Sequence, residues 1–227
     1  MELSLLLVQE IIKLFAMMVM GYVIVKIGLL KSSDSKSLSV IMAYLINPCV
    51  ILNAFQVDAT PEVQKGLLLA CAAAAAVHIL FLTVTAILKK PLHLDVIERA
   101  SLIYPNAGIL VIPLVQSLLG QEYVIYSSAF IAIQLILLWT HCKNMLCEEQ
   151  SVDWKKIIFN VNIISIAVGI VLFLLRIEFP SGVQDVLGSM SNMIGPLGML
   201  IAGMVIADKS LLSVFSRKRS YLSATLR

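Results

Sequence analysis

The chain has 227 residues, 59% of them hydrophobic and 14% charged, with a formal net charge of +3 and a mean hydropathy of +0.95. That composition excludes a soluble globular domain and places several bilayer-length segments along one multi-pass membrane protein. The small basic excess has a topological use in such a chain, and with no DNA or RNA motif present no nucleic-acid partner is expected; the partner is the lipid bilayer.

The first span is predicted from about Leu3 to Ile27, too long for a signal-peptide core and without a small-residue cleavage site, so it is retained. Glu10 and Lys13 lie one turn apart inside it. They either neutralise one another along the helix or leave Lys13 facing a solute path as an ion- or proton-coupling residue. The second span, about Leu38 to Gln56, carries Tyr44, Asn47, Pro48 and Asn53. Pro48 frees the carbonyl of Tyr44, and Asn47 and Asn53 either tie helices together or line a pathway. The third, about Gly66 to Leu88, holds Cys71, the run Ala72 to Ala76 suited to close helix approach, and His78 near its centre. His78 is read either as a neutral side chain bonded to a neighbour or as a proton relay.

The fourth span, Ala100 to Leu119, should break. Pro105 and Pro113 lack the N–H an α-helix needs, and Gly108 between them is a weak helix former. Carbonyls released in hydrocarbon persist only where protein or a wet cavity covers them, and broken spans commonly mark transport sites. The first half-helix is expected to end near Tyr104, where its partial negative charge suits a proton donor or a small cation such as Na⁺. The second is expected to begin near Ala107 with Asn106 as cap, a place for an anion. Replacing Asn106 with alanine is expected to weaken substrate binding by about 1 to 2 kcal/mol.

A fifth span follows from about Val124 to Cys142, with Gln134 buried and His141 near its end. The polar stretch Glu148 to Asp153 marks a boundary, so the chain divides into a first five-helix unit at 1–147, a cytoplasmic linker at 148–156 and a partial second unit at 157–227. The sixth span runs from about Ile157 to Leu175 with Asn160 and Asn162 at its start, and the seventh from about Val186 to Ala207. In the seventh, Ser191, Gly195, Gly198 and Ala202 form a packing stripe. Cys49, Cys71, Cys142 and Cys147 lack zinc-type spacing and are read as small apolar residues, with no metal and no cofactor implied.

Basic residues crowd alternate connections: Lys26, Lys31 and Lys36; Lys89, Lys90 and Arg99; Lys143, Lys155 and Lys156; Lys209, Arg217, Lys218 and Arg219. The other connections carry only Lys65 and Arg176, which puts the N-terminus outside and the basic tail in the cytoplasm. Gly21 and Pro48 have counterparts in Gly169 and Pro196, each displaced by about 148 residues and five spans, an odd number. That is the plan of an inverted repeat. The same displacement carries the break past Arg227, so a second broken span is absent and the chain is expected to be a C-terminally truncated carrier, inactive alone.

Asn47-Pro48 with Asn53-Ala54-Phe55, Asn106-Ala107-Gly108 with Ile112-Pro113 and Gly120, Trp139-Thr140-His141, Asn160, and Ile201-Ala202-Gly203 together resemble the auxin efflux carrier family. This family includes plant PIN carriers and bacterial permeases for small dicarboxylates. The chain departs from the family pattern at Val111, where a glycine is usual, and at Val161, where a proline is usual. The resemblance implies an all-α fold of two inverted five-helix repeats with crossing broken helices, like bile-acid symporters and sodium-proton antiporters. It also implies elevator-like transport of small mono- or dicarboxylates across the plasma membrane, coupled to H⁺ or Na⁺, with a homodimer among the assemblies to be expected. By matched position Asn106, Gly108 and Pro113 would belong to the crossing site and Pro48 to the scaffold side of the path. A sensor or receptor on the same scaffold, binding solute without moving it, is the alternative. An intramembrane enzyme is disfavoured, since neither HExxH nor GxSxG occurs.

Overall fold

Backbone groups inside a bilayer must be satisfied within their own segment, which long apolar runs achieve as helices. The computed structural model describes residues 2–105, 111–147, 158–209, 221 and 224–226, and all regular elements among them are helical. Leu5–Lys26, Ser32–Ala54, Pro61–Lys89, Val124–Leu146 and Ser181–Ala207 are each long and apolar enough to cross a membrane. The protein is an all-α multi-pass membrane protein.

The first span is helix α1, Glu2–Lys26. The second comprises α2, Ser35–Ile41, a π-helical turn at Met42–Ile46, and α3, Asn47–Ala54. Pro48 cannot donate to the carbonyl of Tyr44, and the wider turn just before it lets the helix continue past the missing bond. The third span is α4, Pro61–Lys89; it starts earlier than expected because Thr60 caps it, accepting from the Val63 N–H at 3.3 Å, with Pro61 in the first turn.

The fourth span contains α5, Val96–Ile103, and α6, Ile112–Leu118. The fifth runs as α7, Val124–Leu137, a π-helical turn at Leu138–Cys142, and α8, Lys143–Cys147. The sixth is α9, Val161–Leu175, shorter than a full span. Its helix begins at Val161 because Asn160 Oδ1 accepts from the Asn162 N–H at 3.0 Å and so caps it. The seventh corrects the expectation of one continuous helix from Val186. It begins at Ser181 and is interrupted at Asn192 and Met193, giving α10, Ser181–Ser191, and α11, Ile194–Ala207. Pro196 explains this: it withholds the N–H that the Asn192 carbonyl would have received. The linker assigned to 148–156 lies outside the described residues.

Tight packing places these elements. α1 lies along α11, and α9 along α3. A Cβ on Gly203 would overlap the Met18 carbonyl oxygen and stand 2.7 Å from the Tyr22 nitrogen; one on Gly21 would overlap the Leu200 carbonyl oxygen. The two helices therefore touch backbone to backbone, as small residues permit in membranes. This closest approach is made at Gly203, one residue beyond the expected stripe, of which Ser191, Gly195 and Gly198 are buried.

The second span sits at the centre. Ile46, Val50 and Ala54 pack with Ile112, Val124 and Ile194, while Ile51 and Phe55 pack with Ile125, Ile166 and Phe173. One helix thereby meets the fourth, fifth, sixth and seventh spans. Leu5, Ile12 and Phe15 on α1 and Leu68 and Leu69 on α4 face outward, as lipid requires.

Candidate functional site

The broken span is built deliberately at its lower end. Asp95 Oδ1 accepts from the Glu98 N–H at 2.7 Å and Glu98 Oε2 from the Asp95 N–H at 2.9 Å, a capping box that starts α5. The helix stops at Ile103. Tyr104 leaves helical geometry at φ −114°, ψ 85°, and Pro105 follows. The next α-helix among the described residues is α6, with Pro113 in its first turn, where a missing N–H costs nothing. Asn106 and Gly108, the expected cap and its neighbour, lie outside the described residues.

The fifth span braces this break at two points. Gln134 Nε2 donates to the Pro105 carbonyl at 2.5 Å, and the Tyr104 hydroxyl lies 2.8 Å from His141 Nδ1 and 3.2 Å from the Leu137 carbonyl oxygen. From the other side, Gln116 Nε2 on α6 donates to Asn192 Oδ1 at 3.1 Å, joining the fourth span to the interruption in the seventh.

Beside the Pro105 end of the break is a cavity of about 280 Å³. Its walls include Asn47, Val50 and Ile51 from the second span, Pro105 and Ile112 from the fourth, Gln134 and Leu138 from the fifth, Asn162 from the sixth, and Ile194 and Ile201 from the seventh. Asn47 Oδ1, Gln134 Oε1 and Asn162 Oδ1 are all shielded from solvent and have no donor among the described residues. Each such buried acceptor costs about 1 to 3 kcal/mol when left unmet, so three on one cavity amount to a demand for a ligand or water. None of the residues named in its wall carries a formal charge.

The expected site residues divide. Asn47 and the end of the break at Pro105 come together on this cavity, with Tyr104 adjacent in sequence but turned to His141. Pro48 is buried next to Asn47 in α3 and shapes the turn without lining the wall. His78 is buried on α4, away from the cavity wall, with its ring centroid 4.6 Å from that of Phe130. Its Nδ1 lies 2.8 Å from the Ala74 carbonyl oxygen, which can only accept, so Nδ1 carries the hydrogen. Lys13 is paired with Glu10 at 2.6 Å on α1 and does not line the cavity.

Gln134 and Asn162 were assigned no role from the sequence. Gln134 carried a signal: it is the sole amide in the apolar run Ala129 to Leu138. Asn162 carried less, since an asparagine beside Asn160 at a helix start reads as capping.

A family model described as membrane transport protein matches residues 6–151, which include Asn47, the break and Gln134. No curated protein matches the chain.

Proposed function

The chain belongs to the auxin efflux carrier family of membrane transport proteins, and from that premise we propose that it is a secondary transporter of small organic anions, mono- or dicarboxylates, whose path runs through the amide-lined cavity at Pro105. The observation that carries the reading is the cavity itself: three amide side chains from three spans, with Ser39, meet beside a broken helix in a mainly apolar wall. Its volume lies near the lower end of ligand pockets, about 300 Å³, which favours a small solute over a large one. The amides can orient a carboxylate and a hydroxyl or N–H on the same molecule, since each side chain has both donor and acceptor ends.

The bracing bonds support an elevator-like movement. The break and the fifth span are tied to each other through Pro105 and Tyr104, so they would travel as one body against the first, second, sixth and seventh spans. The bond from Gln116 to Asn192 is then a contact made in one position and lost in another.

In a thermal-unfolding screen of the detergent-purified chain against small mono- and dicarboxylates, at least one should raise the midpoint with increasing ligand, reflecting a stabilisation of about 2.7 kcal/mol at a hundredfold excess over its Kd. A folded chain that responds to none of them contradicts the reading.

A plasma-membrane location with the N-terminus outside is part of this proposal, the orientation being favoured by the crowding of Lys and Arg on alternate connections. With the native cysteines replaced, a cysteine at Asp58 should react with a membrane-impermeant maleimide on intact cells, and one at Lys90 only after permeabilisation. The reverse pattern would invert the topology.

A further inference from the structure

We propose that Phe55 and Phe173 form the barrier of the path, an apolar layer that parts the amide-lined cavity from a second cavity at the opposite ends of the spans, and along which the fifth span slides. This rests on the carrier reading and deepens it by assigning the residues that keep the path closed at one end.

The two cavities meet the layer from opposite sides. The amide-lined cavity starts at Ser39, exposed on α2, and at Leu138 and Ile201, near the ends that the basic connections favour as cytoplasmic, and it reaches Ile51. The second cavity, of about 380 Å³, lies beyond the other ends of the second and sixth spans, with Phe55, Phe173, Asp58, Arg176 and Glu178 in its wall. Ile51 stands one helical turn before Phe55, so the layer between the cavities is about 6 Å thick.

That layer is built closed. Phe55 and Phe173 are each 3% exposed, and their ring centroids lie 6.3 Å apart with the planes tilted by 60°. A Cβ on Gly169 would overlap the Phe55 ring, which makes this glycine the notch that seats it. Beside Phe55, Gln56 Oε1 accepts from the Phe179 N–H at 2.8 Å, and the Phe179 carbonyl accepts from Gln184 Nε2 at 2.8 Å. These bonds tie the end of the second span to the connection after α9 and to α10, so the aromatic pair belongs to one body with the second, sixth and seventh spans. The fifth span meets it through Ile125, buried in the layer, with Ala132 and Leu135 packed alongside. Apolar contact has no preferred direction, so a shift of α7 along the rings exchanges one such contact for another. Water or a carboxylate entering the layer would lose hydrogen bonds and find none.

The test is labelling with a small, membrane-impermeant methanethiosulfonate applied to either face of the membrane, in a chain whose native cysteines are replaced and with no solute added. Asp58→Cys and Asn47→Cys should react from opposite faces, the first from outside and the second from the cytoplasm. Phe55→Ala should raise the outside reaction of Asn47→Cys at least about tenfold, because a ring-sized gap opens in a layer one turn thick. Phe55→Met, which refills most of that volume, should restore closure. Equal reaction of Asp58→Cys and Asn47→Cys from one face, or a folded Phe55→Ala chain with unchanged labelling, would overturn the barrier. Should Phe55→Ala fail to fold, the comparison of the two cysteines in the unaltered layer decides. Reaction from opposite faces with the two exchanged keeps the barrier and inverts the orientation. Opposite-faced labelling of a chain that binds no carboxylate keeps the barrier and refutes the carrier; carboxylate binding with same-faced labelling does the reverse.

Discussion

Gly203→Ala should be among the most damaging single substitutions in the protein. The added methyl group has no side chain to push aside: it meets the Met18 carbonyl oxygen and the Tyr22 nitrogen, both backbone atoms of α1. Relief requires α1 and α11 to separate along their shared face, which loosens the packing of the first span on the seventh. Overpacking of this kind costs about 3 kcal/mol, a fall of roughly 6 to 12 °C in unfolding midpoint for a chain of this size. Gly188→Ala, in α10 with nothing within 4 Å of the added atom, provides the contrast. It should stabilise by about 0.5 to 1 kcal/mol through helix propensity alone. Thermal unfolding of the two variants in one detergent checks both, and equal midpoints would contradict the packing argument.

Gln134→Leu should cost the most function for the least structural change. It removes the donor that covers the Pro105 carbonyl and an oxygen from the cavity wall, while leucine retains most of the volume. Leaving the carbonyl unmet costs about 1 to 3 kcal/mol, so affinity for the bound carboxylate should fall at least about tenfold. His78→Phe, buried against Phe130 away from the cavity, should bind within about twofold of the unaltered chain. Calorimetric titration of both variants separates a site at the break from one at the mid-span histidine. Comparable losses in the two would remove Gln134 from the binding machinery.

What could be read in advance follows a physical line. Pro105 ends the α5 helix because a ring nitrogen cannot donate whatever surrounds it, and that fact is local. Glu10 and Lys13 pair because one helical turn separates them, again a local fact. Pro196 obeys the same rule as Pro105, yet its neighbours Gly195 and Gly198 suggested packing, and the interruption at Asn192 was hidden behind that stripe. Gln134 shows where local reasoning stops. An amide in an apolar helix announces that it needs a partner, but the partner is 29 residues away in sequence, at Pro105. The convergence of Asn47, Gln134 and Asn162 on one cavity depends on three spans meeting, and no spacing in the chain encodes it. His78 lies away from this cavity for a related reason: mid-span depth was legible, but the direction it faces is set by packing on Phe130 of α7.

The most direct test is equilibrium binding of a radiolabelled small dicarboxylate to the purified chain, compared with Asn162→Leu at matched folding. Saturable binding to the unaltered chain, weakened at least about tenfold in the variant, is the expected result. Equal binding by both would place the solute elsewhere in the fold, and no saturable binding of any small carboxylate would contradict the carrier reading itself.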